Sequence, residues 1–202
     1  MTAFARIEGR PCGLLASDCQ SLGGALDSDG ASKATRFFNI CNVFKLPIVS
    51  LVDTPGFMVG PDSEKQGAVN HMTGLFVSGA KLEVPLVCIF LRKGYGLGAM
   101  AMAGGSFKIP LYTASWPTGE FGAMGIEGAV KLGFKKELES FKDKLSREHL
   151  FADLVKKLYD QGKATEAASF LEIDAVIDPS ESRLMITKAF KNYLIKNHNT
   201  QL

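Results

Sequence analysis

Two kinds of residue are scarce in this sequence. It holds 4 cysteines and 3 histidines among 202 residues. Cys12, Cys19, Cys41 and Cys88 form no CxxC pair, and none has a histidine at metal-ligand spacing; His71, His149 and His198 lie far apart. This is the pattern of small buried thiols in a reducing compartment, and no metal site is expected. A charge excess is also lacking. Lys plus Arg number 23 and Asp plus Glu 21, a net charge of +2, which leaves no electrostatic footprint for nucleic acid. Apolar runs stop at about seven residues, well short of the ~20 that cross a bilayer, so no membrane partner is expected. The first residues already include Arg6, Glu8 and Arg10, so no signal peptide is expected. The expectation is a soluble protein of the cytoplasm or an organelle matrix.

The composition itself is that of a globular protein, with 46% apolar and 22% charged residues,. A chain of this length forms one domain and buries about 70% of its unfolded surface without disulfides or metal. Ala3–Gly9 and Cys12–Ser17 alternate in polarity around Gly9-Arg10-Pro11, as a β-hairpin does. Ala31–Phe44 carries Ala34, Phe37, Phe38, Cys41 and Phe44 at helical spacing after the capping residues Asp27-Ser28-Asp29-Gly30,. Ile48–Val52 and Leu86–Leu91 are fully apolar strands separated by an amphipathic helix over Ser63–Leu82. Such strands need cover on both faces, which predicts a parallel sheet. Leu111–Trp116 reads as a third strand. Lys135–Lys157, with charges of both signs, reads as solvated helices. Thr165–Leu171 is helical, Ala175–Ile177 a short strand, and Pro179–Lys196 a terminal helix.

Glycine is concentrated where chemistry is expected. Residues Gly94 to Gly128 hold nine of the 21 glycines and three charges, Lys108, Glu120 and Glu127. In parallel α/β proteins ligands bind at the carboxyl ends of strands. Here those ends are Asp53-Thr54-Pro55-Gly56-Phe57 and Arg92-Lys93-Gly94-Tyr95-Gly96-Leu97-Gly98-Ala99. The second leads directly into an Ala/Met helix, so its N–H groups gather at a positive helix end and can bind a phosphate or hold an oxyanion. Close packing of a small-residue helix on the sheet would use the same glycines. The stretch contains no GxxxxGK[ST], no third glycine at Ala101 for a dinucleotide fingerprint, and no GxSxG elbow. A turn with N–H donors and no nucleophile suits stabilisation of an enolate or ureido anion.

Six segments occur in the order known from one family: Gly9-Arg10-Pro11, Asp53-Thr54-Pro55-Gly56-Phe57, Arg92 to Ala99, Trp116-Pro117-Thr118, Met124-Gly125-Ile126-Glu127-Gly128-Ala129 and Val176-Ile177-Asp178-Pro179. Over residues 3 to 190 the chain resembles the C-terminal half of the carboxyltransferase (β) subunit of biotin-dependent acyl-CoA carboxylases, of the propionyl-CoA and acetyl-CoA type. The resemblance implies a crotonase-like ββα spiral, one C-terminal carboxyltransferase domain over residues 1–202, whose amino-terminal half lies outside the chain. It implies an enzyme that moves a carboxyl group from carboxybiotin to the α carbon of an acyl-CoA, this half supplying the biotin side. It places oxyanion donors at Gly98 and Ala99, with a second pair at Gly56 and Phe57. It places the cofactor contacts at Arg92, Tyr95, Gly96, Leu97, Gly98, Ala99, Met124 and Gly125. Implied partners are acyl-CoA, a biotin carboxyl carrier, biotin carboxylase, an amino-terminal carboxyltransferase half and further copies of the chain, with contact surfaces on Ser63–Leu82 and Gly94–Gly128. Arg92 and Lys93 either attract the carboxylate of carboxybiotin or are simply exposed, and Tyr95 packs. Glu120 and Glu127 would be the acid and base of an enoyl-CoA hydratase on the same fold; otherwise they cap or pair locally. A non-catalytic assembly subunit is the third reading.

Overall fold

The computed structural model describes residues 1–141 and 143–199. Lys142, part of the charged run, lies outside the described residues. The chain opens with the expected hairpin, β1 (Thr2–Ile7) and β2 (Arg10–Ala16), paired antiparallel with Ile7 opposite Arg10. A short 3-10 turn at Leu22–Gly24 precedes α1 (Ser28–Val43). The Asp27 carboxylate caps α1 by accepting from the Gly30 N–H at 2.7 Å,. Strand β3 (Ile48–Thr54) comes next, then α2 (Pro61–Lys65) and α3 (Ala68–Ala80). The single helix expected over Ser63–Leu82 is therefore two. Gly67 stands between them at φ 70, a left-handed conformation that interrupts the helix,.

Strand β4 (Leu86–Tyr95) is longer than its apolar run and passes directly into α4 (Gly96–Met102). After it lie strands β5 (Tyr112–Ser115) and β6 (Glu120–Gly122) and helices α5 (Ile126–Gly133), α6 (Lys135–Ser140), α7 (Lys144–Gln161) and α8 (Ala164–Ser169). Strand β7 (Ala175–Val176) and α9 (Ser182–Asn199) end the described chain. Among the described residues the sheet runs β1-β2-β3-β4-β5-β7, with β6 on the far end of β4. All pairs except the hairpin are parallel.

Both faces of the central strands are buried, as their continuous apolar character requires. Ile48, Val52, Leu86, Cys88 and Phe90 face α1, α3 and α4; Val49, Val87, Ile89 and Ala114 face Ile186 and Phe190 of α9. The small residues of α3 are used inside this packing. Gly79 lies against the Gly104 backbone behind α4, and Gly74 faces Thr35 of α1. They let helices of the same chain approach.

Candidate active site

β3 and β4 are neighbours, so their carboxyl ends form one corner of the molecule. At the end of β3 the buried Thr54 hydroxyl accepts from the Gly56 N–H at 3.1 Å and donates to the Gly56 carbonyl at 3.2 Å. The loop then bridges to Leu26: the Leu26 N–H donates to Gly56 O at 3.0 Å and the Met58 N–H to Leu26 O at 2.7 Å. Phe57 sits between these two bonds, and its own N–H has no acceptor among the described residues.

At the end of β4 the turn into α4 is as tight as glycine allows. Gly96 has φ 60, and a Cβ there would lie 2.7 Å from the Ala123 carbonyl. A Cβ on Gly98 would lie 2.6 Å from the Gly56 carbonyl carbon and 2.8 Å from the Phe57 nitrogen. The structure thus brings Gly56, Phe57 and Gly98 into backbone contact, and Gly96 joins the loop that carries Met124 and Gly125 into α5. With Tyr95 as N-cap, the N–H groups of Leu97 and Gly98 have no acceptor within the helix. The Ala99 N–H does: it is the first to reach back four residues, to the Tyr95 carbonyl. Of the two expected donors, Gly98 has an N–H with no acceptor in the helix, as does its neighbour Leu97, whereas the Ala99 N–H is directed back along α4; Gly98 and Ala99 are both buried. In the other loop Phe57 offers the free donor, because Gly56 spends its N–H on Thr54.

The remaining expected residues divide. Tyr95 is buried and its hydroxyl donates to Glu120 at 2.7 Å; Tyr159 of α7 donates to the other Glu120 oxygen at 3.2 Å. Burial, then the Glu120 carboxylate, holds the Tyr95 hydroxyl well above the usual phenol range, so it stays protonated. Glu127 is exposed on the first turn of α5. Arg92 is half-exposed and turned to Asp53, with Nη2 at 3.1 Å from Oδ2.

Asp53 is the residue that sequence reasoning missed. Its carboxylate is buried and accepts from the Lys93 N–H at 3.1 Å, the Cys19 thiol at 3.1 Å and Arg92. The Lys93 ammonium, 4.0 Å away, also donates to the Gly23 carbonyl at 2.6 Å. Burial pushes the Asp53 pKa up, but the bonds from Cys19, Lys93 and Arg92 outweigh it and hold the group below the ordinary aspartate value,. The only sequence signal was its position at a strand end.

Comparison with known proteins bears on what such a corner does. Residues 1–201 match the family model described as the carboxyl transferase domain. The chain belongs to the carboxyl transferase family. It is 34% identical over 198 residues to the methylmalonyl-CoA carboxyltransferase 12S subunit of Propionibacterium freudenreichii, covering 97% of this chain and 37% of that one. It is 34% identical over 192 residues to the propionyl-CoA carboxylase beta chain of Cereibacter sphaeroides, covering 94% and 36%. Among solved structures, a single-chain, multi-domain long-chain acyl-CoA carboxylase superposes with a TM-score of 0.84 at 54% identity, over 93% of this chain and 18% of that one. A transcarboxylase 12S hexamer with methylmalonyl-CoA bound superposes at 0.88 with 32% identity, over 96% and 37%. The family fold is crotonase-like, as the resemblance implied. The chain spans little more than a third of the curated relatives it matches.

Proposed function

We propose that this chain is the biotin-side half of an acyl-CoA carboxylase carboxyltransferase. The observation that carries the reading is the meeting of free Leu97, Gly98 and Phe57 N–H groups at one corner of a carboxyl transferase domain. These donors fit a ureido oxygen, which accepts hydrogen bonds and gains negative charge as its carboxyl group departs. Carboxybiotin, on a separate carrier, supplies the activated carboxyl group. The chain's own part is to hold the oxygen with N–H groups fixed before reaction, each worth about 3–4 kcal/mol when removed from such a hole. Leu97, Gly98, Gly96, Met124 and Gly125 line the biotin side, with Phe57 as the donor from the facing loop. Tyr95 braces the turn through Glu120.

An amino-terminal carboxyltransferase half, on the same or another polypeptide, holds the acyl-CoA in this reading. Exposed Leu22, Val59, Leu97 and Met124 sit on the segments that converge on the corner, an apolar rim suited to burial against that half or another copy. Biotin carboxylase recharges the carrier, in the cytoplasm or an organelle matrix. Among the described residues no group of three or more His, Cys, Asp or Glu side chains is placed to hold a metal ion. Among them, too, no helix is long and apolar enough to cross a membrane.

The test mixes this chain with a separately expressed amino-terminal half, biotinylated carrier, biotin carboxylase, ATP, bicarbonate and acetyl- or propionyl-CoA. Carboxylated acyl-CoA is expected from the mixture and none from either half alone. Carboxylation by this chain alone, or hydration of an enoyl-CoA by it, would overturn the reading.

A further inference from the structure

The pairing of β3 with β4 changes register once. Val52 lies opposite Phe90 and Thr54 opposite Gly94. Between these pairs one residue, Asp53, faces three, Leu91, Arg92 and Lys93. β4 therefore bulges immediately before the turn that presents Leu97 and Gly98. A bulge takes backbone groups off the ladder, bends its strand and re-aims the residues beyond it. Buried groups so displaced need partners, and here they have them. The Lys93 N–H donates to the Asp53 carboxylate, and the Leu91 carbonyl accepts from the Thr118 hydroxyl at 2.5 Å.

We propose that Asp53 is a positioning residue for carboxyl transfer: its carboxylate holds the β4 bulge and so sets where the Leu97 and Gly98 N–H groups lie relative to the Phe57 N–H. The proposal rests on the carboxyltransferase reading for its catalytic consequence and on geometry alone for its structural one. Asp53 links the two loops. Thr54, its chain neighbour, fixes Gly56, while its side chain fixes Lys93, three residues before Gly96. A third segment is tied in as well. The Asp53 N–H donates to the Ser17 hydroxyl at 3.0 Å, Cys19 donates to its carboxylate, and its carbonyl leaves no room for a side chain on Gly24. The charge of the carboxylate also matters, because one of its donors, Arg92, is a cation and the Lys93 ammonium lies 4.0 Å away, and a neutral acceptor would not hold these as well,. Asp53 touches no reacting atom in this arrangement; it acts through the two turns.

Two variants in the complete enzyme, Asp53→Ala and Asp53→Asn, separate the contributions. Asp53→Ala removes the acceptor of the Lys93 N–H. Its kcat is expected to fall about 10²-fold, the scale of a misplacement of about 1 Å, while KM for acyl-CoA stays unchanged, because the acyl-CoA side belongs to the other half. Asp53→Asn keeps an oxygen for that N–H and is expected to lose less than tenfold in kcat. A residue needed only for folding would reduce the yield of folded enzyme and leave kcat per folded molecule unchanged in both variants, which would overturn the proposal. So would a kcat for Asp53→Asn as low as for Asp53→Ala. Amide hydrogen exchange of residues 91–95 supplies a readout independent of activity. Protection is expected to drop at least tenfold in Asp53→Ala and to be kept in Asp53→Asn; equal protection in all three proteins would refute the proposal. If the unmutated mixture carboxylates nothing, the carboxyltransferase reading fails while the exchange experiment still decides on the bulge. If Asp53→Ala does not fold, Asp53→Asn decides alone: protection lost there would overturn the proposal, and protection kept would support it.

Discussion

Two neighbouring stretches of this chain are built on opposite terms. From Gly94 to Gly98 the glycines are pressed against another segment's backbone or core. Gly94 lies under Phe90 and Phe121, Gly96 on the Ala123 carbonyl, and Gly98 on Gly56 and Phe57. From Lys144 to Gln161, α7 has no fully buried residue, and its ion pair Lys144–Glu148, at 3.7 Å, is exposed. The first stretch can place a hydrogen-bond donor to a fraction of an ångström because nothing around it can give way. The second can absorb almost any polar change. Function is expected where shape is over-determined, and the charge-rich surface serves to keep that part of the fold in water.

The largest break in this contrast should come from Gly98→Val. Its Cβ would meet the Gly56 and Phe57 backbones, so the two loops must separate. Carboxyl transfer by the reconstituted enzyme is expected to drop about 10²-fold or more, as when an oxyanion donor is lost; turnover unchanged in folded protein would refute the site. Glu120→Gln is a gentler probe of the same corner. It keeps an oxygen for one tyrosine, so steady-state turnover should fall only a few-fold, far from the 10²–10⁴ of a lost general acid or base.

Acid sharpens the comparison further. Asp53 has a lowered pKa in the folded chain, so its stabilisation is present above the ordinary aspartate pKa of about 3.9 and is lost as pH falls through the lower folded value. Urea midpoints should therefore decline below about pH 4, and less steeply in Asp53→Asn. The smallest effect is expected on α7. Lys144→Ala should shift the melting temperature by no more than about 2 °C, since exposed pairs contribute little.

Much of the fold was legible because it arises from local pattern. Ile48–Val52 and Leu86–Leu91 had to be strands covered on both faces, and Ala31–Phe44 had to be a helix. The glycine turn was legible as a donor site since its composition departs so far from its surroundings. What escaped depends on contacts between distant segments. Strand β6 is three residues long and exists because Phe121 packs on Phe90 and Phe107. The β4 bulge arises only when Asp53 meets Lys93, 40 residues away. That the N–H groups of Leu97 and Gly98 lack helix acceptors depends on α4 beginning at Gly96, a boundary that composition alone does not fix. Gly67 splits a helix that its amphipathic pattern makes continuous.

The central claim is that the free N–H groups of Leu97, Gly98 and Phe57 receive the biotin oxygen. Backbone amide shifts of the isotope-labelled chain, monitored while biotin or the biotinylated carrier is added, test it most directly. The expected result is a saturable change concentrated at Leu97, Gly98 and Phe57, with Ala99 responding weakly through its neighbour and α7 silent. Saturable changes elsewhere, for instance in the groove between α1 and α3 beside Arg36 and His71, with these three amides unmoved, would contradict it.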